Sequence, residues 1–240
     1  MIYFAKTHIG NVRKTNEDSF YIPPGGGLFA LVADGMGGHN AGDVASRLTA
    51  DTVVKTLESV KEPPVKKSHI KGALHAANKE VWTDAKNNPE RQGMGSTVTL
   101  AVFSDSGVTI GQVGDSRAYL YRNGKLEQIT KDHSYVQLLV DNGFISKTDA
   151  LTHPQKNIIT RAIGTEKDVE ADIIRHDAEE GDVWLLCTDG LNSTVSDETI
   201  AEILCNGAEN AADALIEAAL KGGGHDNITV VIATTGGDAQ

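Results

Sequence analysis

Residues 32–43 read VADGMGGHNAGD: an apolar run meets Asp34, crosses Gly35, Gly37 and Gly38, and arrives at His39. Asp-Gly and Gly-Gly pairs are turn chemistry, because glycine takes positive φ values that side chains oppose. Alone, the stretch is a strand end followed by a loop, and His39 is a solvated surface histidine. Upstream, LFALVA has the composition of a buried strand. Downstream the period becomes helical, with Val44, Leu48, Val53, Leu57 and Val60 on one stripe and Ile70, Ala73, Leu74, Ala77 and Val81 on another. EPPVKKS divides the two helices, and Pro89 follows the second.

Further strands are expected in IYFAKTHI, STVTLAVF, VTIGQV, RAYLYR, VWLLCT and NITVVIAT. Asn123-Gly124 inside YLYRNGKLEQI signals a tight antiparallel hairpin. Helical pieces are expected at 197–205 and 210–221, and residues 132–165 form an excursion from the sheet with a short helical signal. Strands, a helix pair, then strands again point to a layered α+β domain rather than alternating βαβ units. The 240 residues fit a single domain, 1–240, with a sizeable core. Twenty-two Lys and Arg against 33 Asp and Glu give a net charge of −11, which opposes nucleic acid or an anionic membrane and suits a chain that gathers cations. Cys187 and Cys205 sit among apolar residues, so no disulfide framework is indicated. The first residues turn polar too soon for a signal peptide, and no apolar run reaches the ~20 residues of a membrane span, so a soluble, cytoplasmic protein without membrane insertion is expected.

LLCTDGL at 185–191 repeats the pattern of LVADGM at 31–36, an apolar strand meeting Asp-Gly. Asp115 follows TIGQVG, Asp226 precedes NITVVIAT, and Asp18 opens the strand in TNEDSFYI. If these strand ends meet, Asp18, Asp34, Asp115, Asp189 and Asp226 crowd one place, and their repulsion is costly unless cations neutralise it. Carboxylates without a Cys or His cluster suit Mg²⁺ or Mn²⁺ better than zinc. Gly35 would let its backbone approach closely enough for a carbonyl to become a ligand. Arg13 in GNVRKTNED is, on its own, one more solvated cation. His133, His153, His176 and His225 lack mutual ligand spacing and receive no role.

RKTNEDSF, VADGMGGHNAGDVAS, GMGSTVTLAVF, VGDSRAYLYRNGKLEQITKDHS, HPQKNIITRAIGT, LLCTDGLNSTVSDETI and GGHDNITVVI resemble, in order and spacing, the motifs of the metal-dependent serine/threonine protein phosphatases of type 2C in their compact bacterial form. The resemblance implies an α-β-β-α sandwich of two antiparallel sheets flanked by antiparallel helices. It makes Asp34 the carboxylate bridging two Mn²⁺ or Mg²⁺ ions, with the Gly35 carbonyl on one and Asp189 and Asp226 on the other. Glu17 and Asp18 would act through metal-bound waters, and Asp115 would bind a weaker third ion. Arg13 would grip the substrate phosphate, Asn227 would orient a water, and His39 would protonate the leaving oxygen. Residues 132–165 match the bacterial flap. Partners would be phosphoserine and phosphothreonine proteins, a serine/threonine kinase among them, and a monomer is expected. Ser96, where Thr is frequent, and His225 depart from the pattern without touching an assigned ligand. Two rivals are weighed: a nuclease or pyrophosphatase, disfavoured by the acidic charge, and a non-catalytic pseudophosphatase, disfavoured by the full ligand set.

Overall fold

The computed structural model describes residues 1–37, 41–61, 64–105 and 107–234. In chain order the strands are β1 (Ile2–His8), β2 (Asp18–Tyr21), β3 (Phe29–Met36), β4 (Gly95–Ser96), β5 (Val98–Ser104), β6 (Gly107–Val113), β7 (Arg117–Arg122), β8 (Lys125–Gln128), β9 (Asp172–His176), β10 (Val183–Cys187) and β11 (Ile228–Thr234). The helices are α1 (Gly42–Glu58), α2 (Lys67–Asn87), α3 (Tyr135–Asp141), α4 (Lys147–Thr152), α5 (Asp189–Asn192), α6 (Asp197–Cys205) and α7 (Ala208–Lys221). The first sheet runs β1-β11-β10-β7-β8 and the second β2-β3-β5-β6-β9, with β4 beside β3. Every pairing is antiparallel.

Strand periodicity explains the layering. Side chains alternate between faces, so β3 sends Leu31 and Ala33 towards α1 and α2, and Ala30 and Val32 towards the other sheet. β11 likewise sends Val230 and Ile232 under α6 and α7 and Val231 and Ala233 between the sheets. Strands buried on both faces read as continuous apolar runs rather than alternating ones, which is what LFALVA and ITVVIAT are. Three apolar layers result, and Trp184, Phe103 and Ile110 fill the middle one. A fully buried side chain of this kind contributes about 1.5–3 kcal/mol. The architecture is the expected α-β-β-α sandwich.

The hairpin forms as read, with Arg122 opposite Lys125 and Asn123 and Gly124 at φ 51° and 76°. One boundary differs: β3 does not stop at Asp34. It runs to Met36, because Asp34 faces Asp18 on β2 while Gly35 and Met36 pair with Ser96 and Gly95 on β4. No helix among the described residues is long and apolar enough to cross a membrane.

Candidate functional site

Asp18 is the first residue of β2, opposite Asp34, and its carboxylate reaches from the second sheet to the first. Thr188 and Thr229 hydroxyls donate to Oδ2 at 2.9 and 2.6 Å. Oδ1 is buried with no hydrogen-bond partner among the described residues. Burial pushes the Asp18 carboxyl up to about 7, although the two threonines pull it down.

Asp34 and Asp189 lie in the same half-buried place. Burial, then the charges of Asp18, Asp189, Asp115 and Asp226, hold Asp34 well above the usual carboxylate range. Asp189 opens α5 directly after β10 and is raised to about 6 by burial and by Asp226, while a hydrogen bond with Asp34 lowers it. Asp115, two residues beyond β6, is raised to about 8 by burial, Asp189 and Asp132. Asp226, two residues before β11, accepts from its neighbour's N–H at Oδ1 (2.8 Å) and from Arg13 Nη2 at Oδ2 (2.7 Å).

Glycines allow the close approaches. A Cβ on Gly35 would overlap the Gly42 carbonyl, and one on Gly42 would lie 2.7 Å from the Glu17 carboxyl carbon. The Gly35 N–H donates to the Glu17 carbonyl at 3.1 Å. Gly42, at the first turn of α1, donates to the Glu17 carboxylate, whose pKa is nonetheless raised, chiefly by burial. His39 lies outside the described residues.

Asn227 is tied to the segment that precedes β2. Its Oδ1 accepts from the Glu17 N–H at 2.8 Å, and Nδ2 donates to the carbonyls of Ile9 and Thr15, both at 2.9 Å. Both amide hydrogens are thus spent on the backbone of 9–17, the segment that carries Arg13 and Glu17. Sequence reasoning also passed over Thr97, Thr188 and Thr229. Thr97 Oγ1 accepts the Asp34 N–H at 2.9 Å and shares a 2.7 Å hydrogen bond with Ser116. The available signal was adjacency, since Thr188 directly precedes Asp189 and Thr229 follows Asn227 by two.

Among the described residues no three acidic, His or Cys side chains converge on one ligand centre. The carboxylates are close enough to raise one another, and threonines, Arg13 and a hydrogen bond between Asp34 and Asp189 engage only some of their oxygens. An all-oxygen donor set, half-buried acids raised above their ordinary range and the orphaned Asp18 Oδ1 fit hard divalent cations such as Mn²⁺ or Mg²⁺.

Known proteins resemble this chain in sequence and fold. A family model described as protein phosphatase 2C matches residues 6–222. The serine/threonine protein phosphatase PstP of Mycobacterium tuberculosis is 44% identical over 232 residues, which are 96% of this chain and 44% of the relative, so the chain spans less than half that protein's length. The serine/threonine phosphatase stp of Listeria monocytogenes is 39% identical, with 95% of this chain and 93% of the relative covered. The crystal structure of M. tuberculosis PstP/Ppp superposes with a TM-score of 0.90 at 40% identity, covering 98% of this chain and 99% of that one. The PstP catalytic domain in complex with two manganese ions gives 0.86 at 40% identity, with 96% of each chain covered. Sequence and fold agree: the chain belongs to the protein phosphatase 2C family.

Proposed function

We propose that this chain hydrolyses phosphoserine and phosphothreonine monoesters in proteins at a centre of two Mn²⁺ or Mg²⁺ ions. The observation that carries the reading is the gathering of Asp18, Asp34, Asp115, Asp189 and Asp226 from both sheets at one end of the sandwich. Asp34, the Gly35 carbonyl, Asp189 and Asp226 hold the two ions, Glu17 and Asp18 support them from further out, and Asp115 serves a weaker third. When bound, such ions lower the pKa of water and neutralise charge on a phosphoryl group.

Arg13 grips the phosphate. Its side chain is half exposed and touches Asp226 through Nη2, so a planar fork remains for a tetrahedral anion, whose geometry a guanidinium matches. Asn227 positions the loop from which Arg13 and Glu17 project. His39 donates the proton that lets a serine or threonine alkoxide depart. The whole of 1–240 forms one catalytic domain, monomeric and cytoplasmic, with residues 132–165 as a flap beside the site. Its partners are phosphoproteins, including a serine/threonine kinase, and not nucleic acid.

The deciding experiment is Mn²⁺-dependent phosphate release from a phosphothreonine peptide, compared with pyrophosphate and a nucleotide. Preferential turnover of the peptide is expected. Preference for pyrophosphate or nucleotide, or undiminished turnover in chelator, overturns the reading.

A further inference from the structure

His133 stands where the flap leaves the body, is 7% exposed, and has no part in the chemistry above. Its backbone and its ring grip the same residue. The His133 N–H donates to the Gly114 carbonyl at 2.9 Å, and the Gly114 N–H donates to His133 Nδ1 at 3.1 Å. Because Nδ1 accepts, hydrogen bonding assigns the ring proton to Nε2. Nε2 faces Asp172 Oδ2 at 3.2 Å, and Arg161 Nη1 donates to Oδ1 of the same carboxylate at 3.1 Å. Burial opposes a charge on the ring while Asp172 favours one.

Gly114 directly precedes Asp115 and sits at φ 106°, where an added Cβ would come within 2.6 Å of Thr97. The turn is therefore fixed between Thr97, which holds the Asp34 N–H, and His133. On the flap side, the His133 carbonyl accepts from the Thr160 N–H and the Ile158 carbonyl from the Tyr135 N–H, both at 2.7 Å, while Ser134 bridges Ile159. Residues 133–135 and 158–160 make a short ladder that closes the flap at its neck.

We propose that His133 is a positioning residue that joins the flap neck to the Gly114-Asp115 turn, so that the two open and close as one unit. A chain of hydrogen bonds with one shared member couples its ends, and such coupling is reciprocal. The reading of Asp115 as a metal carboxylate bears only on what this coupling does to turnover, so the tests use the metal-free protein and survive the failure of that reading.

The first test is native-state hydrogen exchange on the unmodified chain. The amides of Gly114, Tyr135 and Thr160 should follow one common dependence on denaturant, and separate dependences overturn the proposal. The second compares two variants of similar bulk. Asn in His133→Asn presents an oxygen near the place of Nδ1 and should keep Gly114 exchange near the original rate. Gln in His133→Gln reaches towards Asp172 instead, and should speed exchange at Gly114 and Thr160 about tenfold, the effect of one net hydrogen bond. Equal exchange in the two variants, or acceleration at Gly114 alone, overturns the proposal.

Discussion

The carboxylate floor and the flap are held by opposite means. Asp18, Asp34 and Asp189 are locked among strands of both sheets, and the Asp18 carboxylate is itself a tie between the sheets through Thr188 and Thr229. The flap buries no residue of α3 or α4 and turns Leu138, Phe144, Leu151 and Ile158 outward. Its order comes from local caps, such as the Ser146 and Asp149 capping box, and from the ladder at its neck. The core thus stabilises a floor that is costly to assemble, while the flap is free to vary at little expense to the fold. Stability is unevenly spread in this way wherever binding elements rest on a rigid scaffold.

The largest effect expected is on the floor. Asp34→Asn, Asp189→Asn and Asp226→Asn should each lower turnover by at least ~10² and weaken Mn²⁺ binding in calorimetric titration. Unaltered Mn²⁺ binding would move the centre elsewhere. His39→Ala tests whether the floor needs help from the glycine-rich stretch of sequence that follows β3. A general acid contributes about 10² to 10⁴ in rate, so the variant should lose that much on a phosphopeptide and far less on nitrophenyl phosphate, whose leaving group is a stable anion. Equal losses across leaving groups of rising basicity return His39 to the solvent. Asp115→Ala should lower turnover by about tenfold to a hundredfold, the range for outer metal contacts, and leave two manganese ions bound. Crystals soaked in Mn²⁺ that show a third ion away from Asp115 would reject its role.

A pH series on the metal-free chain sharpens the contrast at a smaller scale. Asp18, Asp115 and Asp189 have folded values of about 7, 8 and 6, above the ordinary aspartate value of about 4. The folded chain then binds more protons than the unfolded one between those limits. The contribution of these groups is fully present below about pH 4 and is lost as pH rises through 6 to 8. Chemical denaturation at several pH values should show that decline, and Mn²⁺ should reverse it. No decline would mean that the floor does not hold its protons. The smallest effect belongs to the flap. Phe144→Ala, at a side chain 75% exposed, should shift stability by no more than about 0.5 kcal/mol, altering phosphopeptide turnover while sparing a small aryl phosphate. Equal losses on both substrates would make the flap a purely structural element.

The legibility of the sequence follows the same division. β3, β5, β10 and β11 were readable because two-sided burial demands continuous apolar runs, and α1 and α2 because one-sided burial demands a stripe. β9 was missed. It is an edge strand of five residues in which Asp172, Arg175 and His176 flank two isoleucines, so no run emerges. α5 was missed because four residues are shorter than the period that would reveal them. The acidic floor could be read as repeated Asp-Gly and strand-end aspartates. The partners of Asn227 and Arg13 could not, since they lie more than 200 residues away along the chain and only the fold brings them close. His133 has the same difficulty, because its ring is explained by Gly114 and Asp172 together.

β1 pairs with β11 along its whole length, from Ile2 opposite Thr234 to His8 opposite Ile228, and Asp226 and Asn227 stand immediately before β11. During synthesis, residues 1–37 leave the ribosome long before the strand that completes their sheet. Asp226 reaches the other carboxylates, and Asn227 captures the 9–17 segment, only after nearly the whole of this sequence has been translated. Pairing across such a separation is slow to form. The complete acidic cluster therefore cannot exist before Asp226 has been made, so a chain that stops short of it never holds all five carboxylates together.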